Sequence, residues 1–307
     1  PKKSRFLGSD ADAALIPQRA TLHLFCARDY LALRGALQPF LASCIPPKTK
    51  AELGDVPMEE LLEAGKRFYS EEPRSFKELR VHFEKEYPQA NPRIAAVAVR
   101  LNVPKMQEPG DSEWGFSATP AWLEAKTFLG RPVPPEDDAP LLVKKYLAAF
   151  GPATPADAQV WSGRNGLRAV FEELRPKLKV FRNEEGRELF DLPRAPRPAA
   201  DVPAPVRFLP EFDNLILSHA DRSRIVDDEH RPALVSKNLH VAATFLLEGR
   251  VAGIWKLERT KRSATLCVRP FSPPPARAKA ELREEGGRLL RFLAPDDTSA
   301  QVEFRSA

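Results

Sequence analysis

Proline-rich segments are the feature that most limits how this chain can fold. The sequence of 307 residues contains 31 prolines, and two short segments are rich in them, GRPVPPEDD over 130–138 and PRAPRPAADVPAP over 193–205. Proline lacks a backbone N–H and fixes φ, so such segments stay extended and join packed modules. A chain of this length forms two to three domains. We therefore predict an N-terminal helical segment over 1–56, which would be an incomplete winged helix, and modules over 57–130, 138–193 and 206–307.

The first complete module has the element order of a winged helix-turn-helix. A helix is predicted from Pro57, and Ser75 with Glu78 has the capping-box spacing that opens a second helix. After a turn at PQANP, a third helix is predicted over 93–101. The segment 104–118 has the glycine and proline content of a β-wing. Three helices and a wing are the parts of a winged helix-turn-helix.

The second module repeats this plan without repeating the residues. A helix is predicted over 141–150, and Thr154 precedes a proline and an acid in the pattern of a helix N-cap. A third helix is predicted over 167–174. Two strands over 178–182 and 188–192 flank a polar turn and would form its wing.

The C-terminal module is predicted to be rich in β-structure. The run HVAATFLLEGRVAGIWKLER reads as two strands around Gly249, which can adopt the positive φ of a hairpin turn. A helix is predicted over 275–293. We expect an α+β fold in which tandem winged-helix domains precede a small antiparallel β-barrel-like domain with a helix. The predicted strands cover 241–247, 250–258, 263–270 and 300–305.

Basic side chains lie at the turns and wings of both helical modules. The net charge of +5 and the pI near 9.1 permit a polyanion partner, and we expect double-stranded DNA. Such contacts would be with phosphates, so Arg164→Ala and Arg168→Ala should weaken binding about equally on unrelated sequences. The alternatives are a solvated charged face and a protein-docking module. The candidate DNA contacts are Arg93, Arg100, Lys105, Arg164, Asn165, Arg168, Lys177, Lys179, Arg182 and, in the C-terminal module, Arg222.

The run DNLILSHADRSRIVDDEHR places many charges beside apolar residues. An isolated buried charge is costly, so these side chains need partners. We predict that Asp213, Asp221 and Arg222 form one buried or half-buried ionic network at the seam between the C-terminal module and the winged helices. The alternative is that this stretch faces DNA, with Arg222 on a phosphate and the two aspartates acting on the sugar or on a water.

Five pieces of the sequence resemble one known family. They are RATLHLFCARDYLAL, KKYLAAFGPATPADAQVWSG, LPEFDNLILSHADRSRIV, LEGRVAGIWKLER and EEGGRLLRFL, in this order. They resemble the bacterial winged-helix DNA-binding family that includes the DNA glycosylases of alkylated bases and interstrand crosslinks, of the azinomycin-resistance type. The resemblance implies DNA repair by hydrolysis of the N-glycosidic bond of a damaged purine, without a metal cofactor. The alternative is a non-catalytic winged-helix protein, a transcriptional regulator or a damage binder.

The resemblance carries no catalytic glutamine onto this sequence. The resembled glycosylases use a Gln-x-Gln or Gln-x-Asp pair ahead of an Arg-Gly-Thr-Leu-His signature. None of the glutamines here is followed two residues later by Gln or Asp, and Ala20 stands in place of the signature's glycine. Either the catalytic segment lies outside this sequence or the protein is not a glycosylase. The remaining catalytic candidates are His23, Asp213 and Asp221.

Other chemistries lack the residues that they require. The sequence contains no P-loop, no Gly-x-Gly-x-x-Gly and no Gly-x-Ser-x-Gly motif. The five histidines and three cysteines show no metal-ligand spacing. No apolar run approaches the roughly 18 residues of a membrane span, and no signal peptide is visible. We therefore expect no metal, no cofactor and no membrane contact, and we expect a monomer in the cytoplasm.

Overall fold

The chain divides into two compact units at a proline-rich segment of the sequence. The computed structural model describes residues 12–18, 21–110, 119–236, 238–260, 263–295 and 299–306. The units are Pro1–Pro193 and Arg194–Ala307. The boundary falls where the sequence predicts a linker, because the prolines there leave the segment extended and largely exposed.

The first unit begins with a hairpin and a long helix. Strands β1 (Asp12–Gln18) and β2 (Thr21–Cys26) pair antiparallel. Helix α1 (Ala27–Ser43) follows directly and buries the apolar stripe that includes Tyr30 and Leu37. The predicted N-terminal helical segment therefore contains a two-stranded sheet as well as its helix.

A helical bundle with a small sheet follows α1. Its core is formed by Leu61, Phe68, Leu79, Phe83 and Val99, all of them buried. The three strands of its sheet lie in the order β3-β5-β4, and the tip of the predicted wing, 111–118, lies outside the described residues. The elements are α2 (Pro47–Lys50), α3 (Met58–Glu71), β3 (Arg74–Ser75), α4 (Phe76–Glu86), α5 (Pro92–Asn102), β4 (Lys105–Gln107), β5 (Ala121–Glu124) and α6 (Ala125–Leu129).

The predicted capping box at the start of α4 is confirmed. The hydroxyl of Ser75 accepts a hydrogen bond from the Glu78 N–H at 3.2 Å, and the Glu78 carboxylate accepts one from the Ser75 N–H at 2.7 Å. Two N–H groups that the helix cannot satisfy internally thus gain partners. This local exchange fixes where the second helix of the bundle begins.

A second bundle repeats the order of three helices and a hairpin. Helices α7 (Ala139–Phe150), α8 (Pro155–Ser162) and α9 (Leu167–Leu174) precede the antiparallel strands β6 (Lys179–Arg182) and β7 (Glu188–Asp191). The core of this bundle includes three fully buried aromatic side chains, and Thr154 caps α8 as predicted, through a capping box. The three aromatic side chains are Tyr146, Phe171 and Phe190.

The second unit is an open mixed sheet and not the predicted antiparallel barrel. In the described part of the chain its five strands lie in the order β12-β11-β10-β9-β8, so β12 and β8 are opposite edges. Strand β12 pairs parallel to β11, because the long helix α12 returns the chain between them. The elements are β8 (Arg207–Leu209), α10 (Asn214–Leu217), α11 (Arg231–Leu234), β9 (Thr244–Leu247), β10 (Arg250–Arg259), β11 (Ser263–Pro270), α12 (Ala276–Leu293) and β12 (Ser299–Phe304).

Candidate nucleic-acid interface

His23 lies on β2 and is held by its own strand. Its Nε2 atom is 2.8 Å from the Thr21 hydroxyl, and its half-buried ring meets Phe25 edge-on. The hydroxyl at Thr21 therefore fixes the orientation of the imidazole, which is what a positioned acid, base or hydrogen-bond donor requires. Ala20, the residue that replaces the glycine of the resembled signature, lies outside the described residues.

Helix α5 exposes two of its basic side chains and the following strand buries a third. Arg93 in the first turn and Arg100 in the last turn of α5 are exposed. Lys105 was predicted to contact DNA, but it is only 5% exposed. Its ammonium group donates to the carbonyls of Val99 and Arg100 at 3.3 and 2.7 Å, the last carbonyls of the helix. Lys105 therefore ties β4 to the end of α5 and is not available to a phosphate.

The environment of Lys105 is cationic as well as buried. Burial and, next, the guanidinium groups of Arg34 and Arg100 lower the pKa of Lys105 well below its usual value. Arg34 is itself buried and donates to the Leu101 carbonyl at 3.2 Å. Burial lowers the pKa of Arg34 too. Two neighbouring cations are thus enclosed at the end of one helix.

A cavity of about 430 Å³ opens beside Lys105. Three aromatic and three basic side chains are among the residues that line it, so its chemistry suits a flat ring that carries negative charge. Sequence reasoning missed this cavity because its lining comes from three helices and a sheet that are far apart in the chain. The lining residues are Tyr69, Ser75, Phe76, Lys77, Arg100, Lys105, Thr119, Pro120 and Trp122.

Arg164 was also predicted to contact DNA, but its guanidinium is already bound by other groups of the first unit. The guanidinium forms a two-pronged ion pair with Asp137 and donates to the Ala36 carbonyl of α1 at 2.6 Å. Only 15% of the side chain is exposed. The neighbouring Gly163 allows this approach, because a Cβ there would lie 2.8 Å from the ring of Phe40. Arg164 joins the turn before α9 to α1.

The remaining candidates for DNA contact in the second bundle, four basic side chains and one asparagine, are exposed. Asn165 and Arg168 lie at the start of α9, and Lys177 and Lys179 lie before and on β6. Arg182 is exposed as well, although it pairs with Glu188 at 3.1 Å and donates to the Gly186 carbonyl. These side chains surround the helix start and the hairpin, the parts predicted to meet DNA.

The polar run of the second unit does not form the predicted ionic network. The Asp213 carboxylate accepts a hydrogen bond from the Leu215 N–H at 2.8 Å and caps α10. Asp221 is exposed, and its carboxylate accepts from the Ser223 N–H at 3.0 Å. Their short side chains satisfy nearby backbone groups, as aspartates in turns commonly do. Among the described residues, no ion pair joins Asp213 to Arg222.

Arg222 is a half-buried cation in this run. Its Nε atom is enclosed and has no hydrogen-bond partner among the described residues. Burial and, secondarily, the nearby Arg231 guanidinium lower the pKa of Arg222. An enclosed guanidinium in this state is stabilised by an added anion.

The described ranges contain neither a cluster of metal ligands nor a helix suited to a membrane. Their His, Cys, Asp and Glu side chains include no group of three or more that could hold a metal ion. None of the helices in this part of the chain is both long and apolar enough to cross a bilayer.

Comparisons with known proteins place the chain in a family. Residues 13–292 match the family model described as DNA glycosylase AlkZ-like. An interstrand DNA cross-link repair glycosylase of Streptomyces sahachiroi is 31% identical over 150 residues, a match that spans 46% of this chain and 39% of that relative. The solved structure of the Streptomyces sahachiroi DNA glycosylase AlkZ has the same fold, with a TM-score of 0.75 at 21% identity over 99% of this chain and 84% of that one. Because the family model spans most of the sequence, this chain belongs to the AlkZ-like DNA glycosylase family.

Proposed function

We propose that this protein is a DNA-repair glycosylase that excises alkylated or crosslinked purine bases from duplex DNA by hydrolysing the N-glycosidic bond. The observation that carries the proposal is the family match over residues 13–292. The protein would excise these bases as a monomer in the cytoplasm.

Two bundles of the first unit would act as tandem winged helices on the duplex. Each has three helices followed by a hairpin or small sheet, the order of a winged helix-turn-helix. In this proposal the modules are 57–130 and 138–193, after an N-terminal segment over 1–56 and before a C-terminal module over 206–307. Helices α5 and α9 would approach the DNA, since each is the third helix of its bundle.

Exposed basic side chains would hold the DNA backbone. Their positive charge favours phosphates, and such contacts position a protein on DNA without reading sequence. Arg222 in the second unit would add a contact, because its enclosed guanidinium gains from an anion. Lys105 and Arg164 are left out because their donors are occupied inside the fold. The proposed contacts are Arg93, Arg100, Asn165, Arg168, Lys177, Lys179, Arg182 and Arg222.

Base excision requires a group that orients a water and groups that stabilise the departing base. His23 is the candidate of the first unit, since its imidazole has a fixed orientation and remains half-exposed. Asp213 and Asp221 are weaker choices for a general base, because each already accepts a backbone hydrogen bond. Extrusion of the base costs less when the lesion weakens its pairing.

The test is a duplex oligonucleotide that carries a single 7-methylguanine. We expect base release, detected as strand cleavage by hot alkali at the new abasic site. Binding to the duplex should weaken about a thousandfold between about 50 mM and 200 mM salt, if about six phosphates are neutralised. Binding without base release would favour the regulator or damage binder. No binding to a long duplex at about 50 mM salt would overturn the DNA-binding proposal and favour a protein-docking module.

A further inference from the structure

Two residues of the second unit combine an exposed apolar side chain with a strained backbone conformation. Phe212 and Leu239 have φ angles of 59° and 60°, in the left-handed region that L-residues other than Asn and Asp seldom adopt. Their side chains are 49% and 77% exposed. Each residue therefore loses free energy through its backbone and gains little by burial.

One short hairpin holds both residues in place. Val235 and Val241 bridge antiparallel, and the loop between them closes through hydrogen bonds from the Leu239 N–H to the Ser236 carbonyl and from the Ser236 N–H to the His240 carbonyl, both at 2.9 Å. Leu239 lies at the turn of this loop. The loop is thus fixed by its own backbone, and it presents the leucine outward.

Phe212 is tied to the same hairpin from another part of the chain. Its N–H donates to the Val241 carbonyl at 3.2 Å. Its ring meets the His240 ring edge-on, with the ring centres 5.2 Å apart. A carboxylate oxygen of Glu211 lies 3.3 Å from Nε2 of the same imidazole. Phe212 and Leu239 are therefore both held by the same hairpin, which we call the tip.

Stability of the fold does not account for this tip. The core of the second unit is built from other side chains, and neither Phe212 nor Leu239 belongs to its clusters in the described residues. Asn238, next to Leu239, is a residue type that tolerates the left-handed region better, yet the leucine takes it. Strained positions of this kind concentrate at sites that act on a ligand.

We propose that Phe212 and Leu239 form an apolar wedge that enters the base stack of duplex DNA and holds open the gap left by an extruded base. The proposal rests on the proposed glycosylase function and names two residues for its extrusion step. Apolar side chains inserted between base steps unstack and kink DNA. Two exposed apolar side chains are enough to enter between base pairs, whereas a protein partner would need a wider apolar patch.

The neighbouring sequence suits the same partner. Lys237 and Asn238 directly precede Leu239. Lysine contacts phosphates, and asparagine reads base edges in the minor groove. The sequence thus places two residue types that bind DNA directly before the apolar Leu239.

The test compares wild type with Leu239→Gly and Phe212→Gly on a duplex that carries 2-aminopurine next to a 7-methylguanine. Glycine accepts the positive φ, so neither variant should lower the melting temperature. Wild type should raise the 2-aminopurine fluorescence on binding, which reports unstacking, and both variants should lose most of that rise. Val202→Ala is the matched control, since Val202 is an exposed apolar residue of the same unit, and it should behave as wild type.

Excision gives a second readout. We expect Leu239→Gly to slow release of 7-methylguanine about tenfold or more from a fully paired duplex, but only about twofold when the lesion is mismatched, because a mismatched base is easier to extrude. A variant that unstacks and excises like wild type overturns the wedge, leaves the glycosylase intact and points to a protein partner for the tip. Wild type that unstacks but releases no base, with unstacking lost in Leu239→Gly, supports the wedge and overturns the glycosylase. Wild type that binds without unstacking overturns the wedge.

Discussion

At Lys105, burial of the side chain opposes its positive charge. Its folded pKa is lowered by burial and by Arg34 and Arg100, whereas the unfolded chain holds its proton up to a pKa of about 10.4. In the window between these values the unfolded state binds more protons, so stability rises with pH. We expect Lys105→Met to flatten this rise at pH values below about 10.4, measured by chemical denaturation of both proteins. If the stability of wild type and of Lys105→Met changes with pH in parallel, the pKa of Lys105 is not lowered in the folded protein.

Arg164 and Arg168 are neighbours in sequence with different predicted roles. Arg164 is occupied by Asp137 and the Ala36 carbonyl, so Arg164→Ala should lower the free energy of unfolding by about 1–3 kcal/mol. Arg168 is exposed, so Arg168→Ala should leave stability unchanged and weaken DNA binding on every sequence. Lys85→Ala is the control for lost surface charge, as Lys85 is highly exposed on α4. If Arg164→Ala and Arg168→Ala lose DNA affinity equally and are equally stable, the sequence-based prediction that both residues contact phosphates holds.

At the scale of single elements, the role of Asp213 is that of a helix N-cap. Asp213 caps α10, so Asp213→Ala should cost about 1 kcal/mol. That is less than the roughly 3–5 kcal/mol expected for breaking a buried ion pair. Asp213→Asn keeps an oxygen acceptor and should keep the stability, as measured by urea denaturation. If Asp213→Asn keeps stability but abolishes base release, the carboxylate belongs to the active site.

At the scale of the whole molecule, the two units should separate under mild proteolysis. Arg194 is exposed at their boundary and is not followed by proline, so trypsin can cleave after it. We expect limited trypsin digestion to give two early, persistent fragments that meet at this residue, identified by mass spectrometry. Arg194→Pro should slow this cleavage and is its control. Early cleavage inside either compact unit instead would show that the division of the chain is wrong.

The sequence by itself determined the elements that depend on near neighbours. The capping box at Ser75, the helix N-cap at Thr154 and the hairpin at Gly249 follow from contacts within a few residues, so their positions could be predicted. The linker at 193–205 follows from proline chemistry alone. The family could likewise be recognised, because its motifs are continuous stretches of sequence.

Only the tertiary structure decided which charged side chains remain free. Arg164 reaches a carbonyl 128 positions away, and Lys105 on β4 is enclosed beside Arg34 of α1, so exposure at these sites depends on packing between distant elements. The open sheet was decided in the same way, since the direction of β12 depends on how α12 packs and returns the chain. The residue type determines the charge of a side chain, but the elements that pack against the side chain determine how much water reaches that charge.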